Sequence, residues 1–206
     1  MTTPARATRD AGKATRQTLL RAAAEVFAEQ GETAPVAKIC RLAEAHPNQV
    51  TYYFGSKDQL FVEVACHAVL RAGRHAEEAA ALATTVGDYT TALISTLLGP
   101  EARNVELFTT AMSMASRRTD LRPQISETLS VLHERGQDAL MRTLVRTGWQ
   151  LRASIDVEAK AFWSAIFGLV IQQAAAGEQL GYSLEEAVAV VFTNLQIPEQ
   201  VLQHAI

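Results

Sequence analysis

The chain has 206 residues, of which 48% are hydrophobic and 20% charged, and its formal net charge is −3. That length allows one ordinary domain, or a small domain joined to a larger one. No run of about twenty apolar residues occurs, which argues against a membrane span. The segment MTTPARATRDAGKATR lacks the apolar core of a secretory signal. We expect a cytoplasmic protein with no membrane partner, in which Cys40 and Cys66 are buried free thiols.

The charge is distributed unevenly along the chain. Residues 1–60 hold eight Lys and Arg against six Asp and Glu, whereas residues 61–206 hold eleven against sixteen. Four of the basic residues, Arg6, Arg9, Lys13 and Arg16, lie in the first sixteen positions beside a single acid. This pattern predicts a flexible basic arm over residues 1–14 that meets a polyanion, or else a plain solubilising tail.

Abundant Ala and Leu with few Gly and Pro favour an all-α fold. Residues 15–30 carry apolar side chains at helical spacing, and Gly31 is placed to end that helix. After Pro35 the stretch VAKICRLAEA has one apolar face, and Pro47 is placed to open a short third helix. Three short helices over residues 15–56 predict a small N-terminal domain.

Longer helices follow from Ser56, which has the N-cap position of a capping box with Gln59. One apolar stripe then contains Leu60, Phe61, Val64, Ala65, Ala68 and Ala72. Further helices are predicted around residues 107–115, from about 123 to 149, from 157 up to Gly177, and from about 183 to 195. Residues 57–206 are therefore expected to form a larger helical bundle.

The second and third short helices have the pattern of a helix-turn-helix. Asn48 and Gln49 are residue types that bond adenine bidentately in the major groove. His46 can donate to a phosphate or a base, and the hydroxyls of Thr51, Tyr52 and Tyr53 can reach phosphates. Lys57 adds its charge to the start of the next helix. Alternatively, the aromatic residues form the core of a helical corner that binds no DNA.

Three segments, RQTLLRAAAEVFAEQG, VAKICRLAEA and QVTYYFGSKDQLFVEV, resemble the N-terminal domain of TetR/AcrR-family transcriptional regulators. The likeness covers about residues 15–64. It implies an all-α homodimer with an N-terminal DNA-binding domain and a larger ligand-binding and dimerisation domain. It also implies a palindromic double-stranded operator, a small-molecule effector, no cofactor and no metal. The expected DNA-contacting residues are Arg16, Pro35, His46, Pro47, Asn48, Gln49, Thr51, Tyr52, Tyr53 and Lys57.

The sequence departs from the family pattern at three positions near the recognition helix. Glu44 stands where the turn usually has Gly, His46 where that helix usually starts with Ser, and Thr51 where many members have Tyr. These departures bear on the operator sequence rather than on the fold.

In the larger domain, the apolar and polar side chains suited to a ligand pocket are Phe108, Met112, His133, Trp149 and Trp163, with Met114. Aromatic and Met residues at helical spacing are also typical of plain core. His67, Arg71 and Arg74 share a polar face that would suit either an anion or solvent.

The last two long helices carry broad apolar faces that would suit a symmetric four-helix contact with a second copy. The predicted interface residues are Phe162, Ile166, Phe167, Val170, Val188, Val191, Phe192 and Leu195. The alternative is that these faces are buried within one subunit.

No catalytic or metal-binding pattern emerges, since the five histidines are scattered and no phosphate-binding loop or nucleophile motif occurs. The sequence therefore predicts a dimeric DNA-binding regulator, most simply a repressor released by a small molecule, and not an enzyme. Two alternatives stay open: the same architecture without a small-molecule effector, and a helical small-molecule-binding protein.

Overall fold

The computed structural model describes residues 4–151, 153–177 and 181–195, with side chains from residue 12 onward, and within these ranges it contains nine α-helices and no strand. The all-α prediction is confirmed. The helices are α1 (Pro4–Gln30), α2 (Val36–Leu42), α3 (Pro47–Phe54), α4 (Lys57–Ala80), α5 (Val86–Leu98), α6 (Ala102–Arg117), α7 (Arg122–Thr147), α8 (Ile155–Ala176) and α9 (Leu184–Asn194). Short 3₁₀ turns occupy Gly31–Thr33 and Thr119–Leu121. No helix in these ranges is long and apolar enough to cross a membrane.

The first helix is longer than the sequence predicts. A helix from residue 15 with a flexible arm over residues 1–14 is expected, but α1 already begins at Pro4. Proline suits the first helical position, and the Ala and Arg residues that follow have high helix propensity. The predicted arm is therefore wrong for residues 4–14, and residues 1–3 lie outside the described part.

Helix α4 is the central element, and it packs against α1, α3, α5, α6 and α7. Its predicted apolar stripe is buried throughout. Phe61 on this stripe meets Phe27 of α1 edge to face, with ring centroids 5.0 Å apart. Ser56 caps the helix as predicted, since its Oγ accepts the Gln59 N–H at 3.1 Å. Cys40 and Cys66 are buried free thiols, also as predicted, and burial raises the pKa of Cys66 to about 11.

The turn between α2 and α3 sets the direction of the recognition helix α3 relative to α2. After α2 ends, the Glu44 N–H bonds the Arg41 carbonyl at 3.3 Å and the Ala45 N–H bonds the Cys40 carbonyl at 2.9 Å. These two bonds form a Schellman motif, whose turn residue adopts a left-handed conformation. Glu44 has φ +50° at that position. The departure from glycine therefore preserves the turn but places a side chain where the backbone favours glycine.

We expect Glu44→Gly to raise the free energy of unfolding by about 0.5 to 1 kcal/mol. A left-handed residue with a Cβ costs about 1–2 kcal/mol, and the greater chain entropy of unfolded glycine offsets part of the gain. Urea denaturation measures the change. Glu134→Gly, an exposed site inside α7, is the matched control and should lower stability by about 1 kcal/mol. Equal effects at both sites would contradict the strained-turn assignment.

Candidate DNA-binding surface and ligand cavity

Helix α3 presents a polar face to solvent and an apolar face to the domain. Val50 and Phe54 are buried, whereas Asn48, Thr51 and Tyr52 are exposed, Tyr52 to 81%. Pro47 occupies the first turn of the helix, as predicted. The exposed face can therefore approach a groove of DNA without disturbing the packing of the domain.

Gln49 closes the start of α3 instead of pointing to a base. Its Oε1 accepts the His46 N–H at 2.8 Å, and its own N–H donates to the His46 carbonyl at 2.9 Å. Bidentate recognition of adenine needs that side-chain oxygen as an acceptor. In this arrangement that oxygen is already bonded to His46, so the base contact by Gln49 stays a prediction, and Asn48 is the exposed amide at the start of the helix.

The two tyrosines differ in their surroundings. Their rings pack edge to face with centroids 4.9 Å apart. Tyr53 is half-buried, and a Cβ built at Gly12 would lie 3.5 Å from its hydroxyl oxygen, so Tyr53 packs against α1. The Tyr52 hydroxyl is the one fully presented to solvent. Of the two, Tyr52 is better placed for a phosphate contact.

Lys57 holds the chain that leads into α2. Its Nζ donates to the carbonyl of Glu32 at 2.7 Å and to that of Ala34 at 3.4 Å. The next residue, Pro35, is exposed and precedes the first turn of α2. An ammonium group has three donors, so one remains for a phosphate while two fix this turn beside α3.

Arg16 makes its contacts inside the protein. Its Nη2 lies 2.8 Å and 2.7 Å from the two carboxylate oxygens of Glu63, and its guanidinium stacks 4.7 Å from the Phe54 ring centroid. Arg16 thus links α1, α3 and α4, and its DNA contact stays a prediction. The remaining predicted contacts, Pro35, His46, Pro47, Asn48 and Thr51, lie exposed on this side of the domain.

A small apolar cavity of about 50 Å³ lies between α4, α5, α7 and α8. The predicted pocket residues Trp149 and Trp163 line it. Phe108, Met112, Met114 and His133 do not line it. Phe108 is fully buried core that packs on Phe167, with ring centroids 5.6 Å apart.

His133 is half-buried on α7, away from the cavity. Its pKa is lowered by burial and then by the nearby charge of Lys160. The two methionines are half-buried and pack on the outside of the core.

Sequence reasoning missed the residues that shape the cavity. Gly73 and Gly136 face the Trp163 indole: a Cβ at Gly73 would lie in ordinary contact 3.5 Å from its ring, and one at Gly136 would lie 3.7 Å from its nitrogen and a tighter 3.3 Å from the Ala159 Cβ. An isolated glycine inside a helix often has such a packing reason, which is the signal that was available. Tyr89 and the acids Glu77 and Glu158 complete the polar part of the wall.

The acids of the cavity wall have specific partners. Glu158 is buried, and its Oε1 accepts the Ala153 N–H at 3.3 Å. Glu77 bonds Arg142 at 3.0 Å, and burial raises its pKa although Arg142 opposes the shift. Arg146 lies 5.8 Å from the Tyr89 ring centroid and donates to the Ala81 carbonyl at 2.6 Å. Side chains of α4, α5 and α7 thus bond to one another beside the cavity.

The predicted dimer-interface residues lie inside the single chain. Seven of the eight are buried, namely Ile166, Phe167, Val170, Val188, Val191, Phe192 and Leu195, and the eighth, Phe162, lines the cavity. They pack between α8, α9 and the rest of the bundle, so little of their surface is left for a second copy. The interface at these positions stays a prediction, and burial within one chain favours the alternative reading of these faces.

The opposite side of α8 is exposed and carries small and apolar residues beside polar ones such as Ser164 and Gln172. Ile171 is 51% exposed, a Cβ at Gly168 would meet no atom within 4 Å, and Ala175 is exposed one turn further on. Val190 of α9 is 41% exposed. Among the described residues no group of three or more His, Cys, Asp or Glu is placed to hold a metal ion.

Two family models match the chain. The model for bacterial regulatory proteins of the tetR family covers residues 19–64, and the model for the C-terminal region of bacterial transcriptional repressors covers residues 86–192, more than half of the chain. A protein from Rhodococcus sp. RHA1 described as a transcriptional regulator has a crystal structure and is 64% identical. That match covers 90% of this chain and 97% of the other, with a TM-score of 0.83.

Two further relatives have either a lower sequence identity or a match that covers only a short stretch of the chain. A TetR-family regulator from Rhodococcus sp. shares the fold at 18% identity, with a TM-score of 0.68 over 89% of this chain and 97% of that one. The transcriptional repressor NicS of Pseudomonas putida is 41% identical over 54 residues. That stretch is 26% of either chain, so the match spans about a quarter of NicS. With the helix-turn-helix geometry of α2 and α3, these matches establish that the chain belongs to the TetR family of bacterial transcriptional regulators.

Proposed function

We propose that the protein is a homodimeric repressor that binds a palindromic operator through α3 and leaves it when a small apolar molecule enters the inner cavity. The observation that carries the DNA-binding part is the exposed polar face of α3, with Asn48, Thr51 and Tyr52 side by side. Such a regulator acts on DNA in the bacterial cytoplasm.

Asn48 is the residue best suited to read a base. It lies in the first turn of α3, where recognition helices contact base edges, and no described side chain bonds its amide. Tyr52 and the free donor of Lys57 would then contact phosphates on either side, and these contacts position the helix without reading sequence.

We expect Asn48→Ala to change which duplexes are selected from a random pool. Loss of one bidentate amide–base contact removes about 1–3 kcal/mol of discrimination at one base pair of each half-site. Parallel selections with the wild type and the variant, followed by affinity measurements on the winners, show the change. Gln150→Ala, an exposed amide between α7 and α8, should select the wild-type sequence. Identical winners for wild type and Asn48→Ala would exclude Asn48 as a base reader.

The exposed side of α8 is the surface proposed for the dimer. Gly168, Ile171 and Ala175 follow at helical spacing, and small residues allow a second copy to approach closely. Val190 of α9 extends this apolar surface. A two-fold pairing here would place two α3 helices on successive turns of the major groove, roughly 34 Å apart.

Ile171→Glu should shift the protein from dimer to monomer, because an unpaired charge would be buried at the centre of the contact. Sedimentation equilibrium over a range of concentrations gives the dissociation constant, which we expect to rise by about a hundredfold or more. Val145→Glu, at an apolar α7 residue that is 83% exposed, is the matched control and should leave the dimer intact. A dimer unaffected by Ile171→Glu would place the interface elsewhere.

The inner cavity supports a small-molecule effector less strongly than the exposed face of α3 supports DNA binding. The cavity is apolar and has few polar groups in its wall, which is typical of ligand sites, but those sites usually measure about 300–1,000 Å³. A volume of about 50 Å³ requires the helices to separate before a ligand can enter. It also favours an alternative in which the regulator has no small-molecule effector and acts constitutively or with a protein partner.

Tryptophan fluorescence can distinguish these alternatives, because the only two tryptophans of the chain, Trp149 and Trp163, both line the cavity. A compound that releases the operator should change the emission at the same concentrations, because occupancy of the cavity and release are linked. Trp149→Phe and Trp163→Phe separate the two signals. Release without any change in emission would show that the effector binds elsewhere, and no release by a broad panel of apolar compounds would favour the constitutive alternative.

A further inference from the structure

A second, more open recess lies on the other side of α4. It is a groove of about 470 Å³ between α1, α4 and α6, and it shares no lining residue with the inner cavity. Its volume is in the range of small-molecule sites. Unlike the inner cavity, it can hold a ligand in the conformation described here.

Three nitrogen-bearing side chains line this groove: Arg21 from α1, and His67 with Arg71 from α4. All three residues are exposed, and among the described residues no hydrogen bond or ion pair ties either guanidinium to a carboxylate. Four other arginines of the described part, namely Arg16, Arg103, Arg118 and Arg142, do have such a partner. The donors of Arg21 and Arg71 are therefore available to a bound anion.

Two carboxylates lie close enough to affect the charge of the groove. Glu25 lines it and offsets one of the two arginines, so the lining side chains carry a formal charge of +1 when His is counted as neutral. Glu101 is already bound by His75 and Asn104. Burial alone would raise its pKa, but those hydrogen bonds and the charge of Arg71 lower it, so this carboxylate stays ionised without contacting the groove arginines. A singly charged anion matches the formal charge of the lining.

The rest of the groove is apolar. Leu20 and Ala24 of α1, Val64 and Ala68 of α4 and Leu107 of α6 contribute its hydrocarbon surface. Alanines at Ala24 and Ala68 leave the space between the helices open. A ligand that fits both parts has an anionic head that arginines can bind bidentately and a short apolar tail.

We propose that this groove is a second binding site, which takes an amphipathic monoanion: a carboxylate on a short hydrocarbon chain. The carboxylate would bind between Arg21 and Arg71, and the chain would lie on the surface formed by Leu20, Ala24 and Leu107. A ligand there would connect α1 of the DNA-binding domain to α4 and α6 of the larger domain. If the proposed operator binding holds, it would then alter operator affinity by favouring one arrangement of the two domains.

Binding itself is tested without DNA, so the result does not depend on the proposed function. Octanoate is titrated into the full chain by calorimetry, and we expect saturable binding of one molecule per chain. The double variant Arg21→Gln, Arg71→Gln should weaken binding by about tenfold or more, since it removes both charge-assisted contacts. Arg74→Gln is the matched control: it removes an exposed α4 arginine that does not line the groove, so binding should change by less than about twofold.

Three further measurements separate this site from other sources of affinity. Octanol, which has the same chain without the charge, and inorganic phosphate, which has charge without a chain, should each bind at least about tenfold more weakly than octanoate. Ala24→Trp, which fills the groove at a half-buried position, should abolish octanoate binding while circular dichroism shows the chain folded. Equal octanoate affinity in the double variant or in Ala24→Trp would overturn the proposal, as would equal affinity for octanol or phosphate.

Discussion

The packing of α1 against α4 is the contact on which the rest of the structure depends. Phe27 and Phe61 meet edge to face at its centre, and Arg16 binds both carboxylate oxygens of Glu63 beside them. Lys57, the first residue of α4, bonds the carbonyls of the turn that leads to α2. The DNA-binding domain is therefore attached to α4 along one side, and α4 is an element of both domains.

Helix α4 therefore connects the two domains mechanically. Helix α4 has 24 residues, so it is about 36 Å long. Its start lies beside α3, its middle lines the groove with His67 and Arg71, and its later turns line the inner cavity with Gly73 and Glu77. A ligand at either place can change DNA binding only if it favours one position of α4 over another. The small volume of the closed cavity makes such a displacement a requirement for binding there.

Local patterns in the sequence predicted most of the helices, because caps and apolar stripes depend on neighbours within a few residues. Ser56 and the buried stripe of α4 are examples. What local patterns could not predict are partners that are distant in the chain. Arg16 has the right chemistry for DNA, but its Nη2 bonds Glu63, 47 residues away. The apolar faces of α8 and α9 predict that these faces are buried. They do not predict whether the covering residues belong to the same chain or to a second copy. Gln49 shows that a residue type suited to bases can instead cap a helix.

The contrast between local patterns and distant partners also explains which cavity residues could be predicted. Trp149 and Trp163 could be named from their chemistry, whereas Gly73 and Gly136 matter only because α4 and α7 both face Trp163 across the bundle. At Glu44 the backbone retains the left-handed turn of the family pattern with a different residue. The geometry of the helix-turn-helix is thus preserved, although its sequence departs from the common pattern.

The most direct test of the account is hydroxyl-radical footprinting of the full-length protein on a duplex selected from a random pool. The account predicts two protected patches related by two-fold symmetry on one face of the duplex, with centres roughly one helical turn or 34 Å apart. Half-sites within those patches should be inverted repeats. A single patch, or uniform protection without a preferred sequence, would contradict a dimer that reads DNA through two copies of α3.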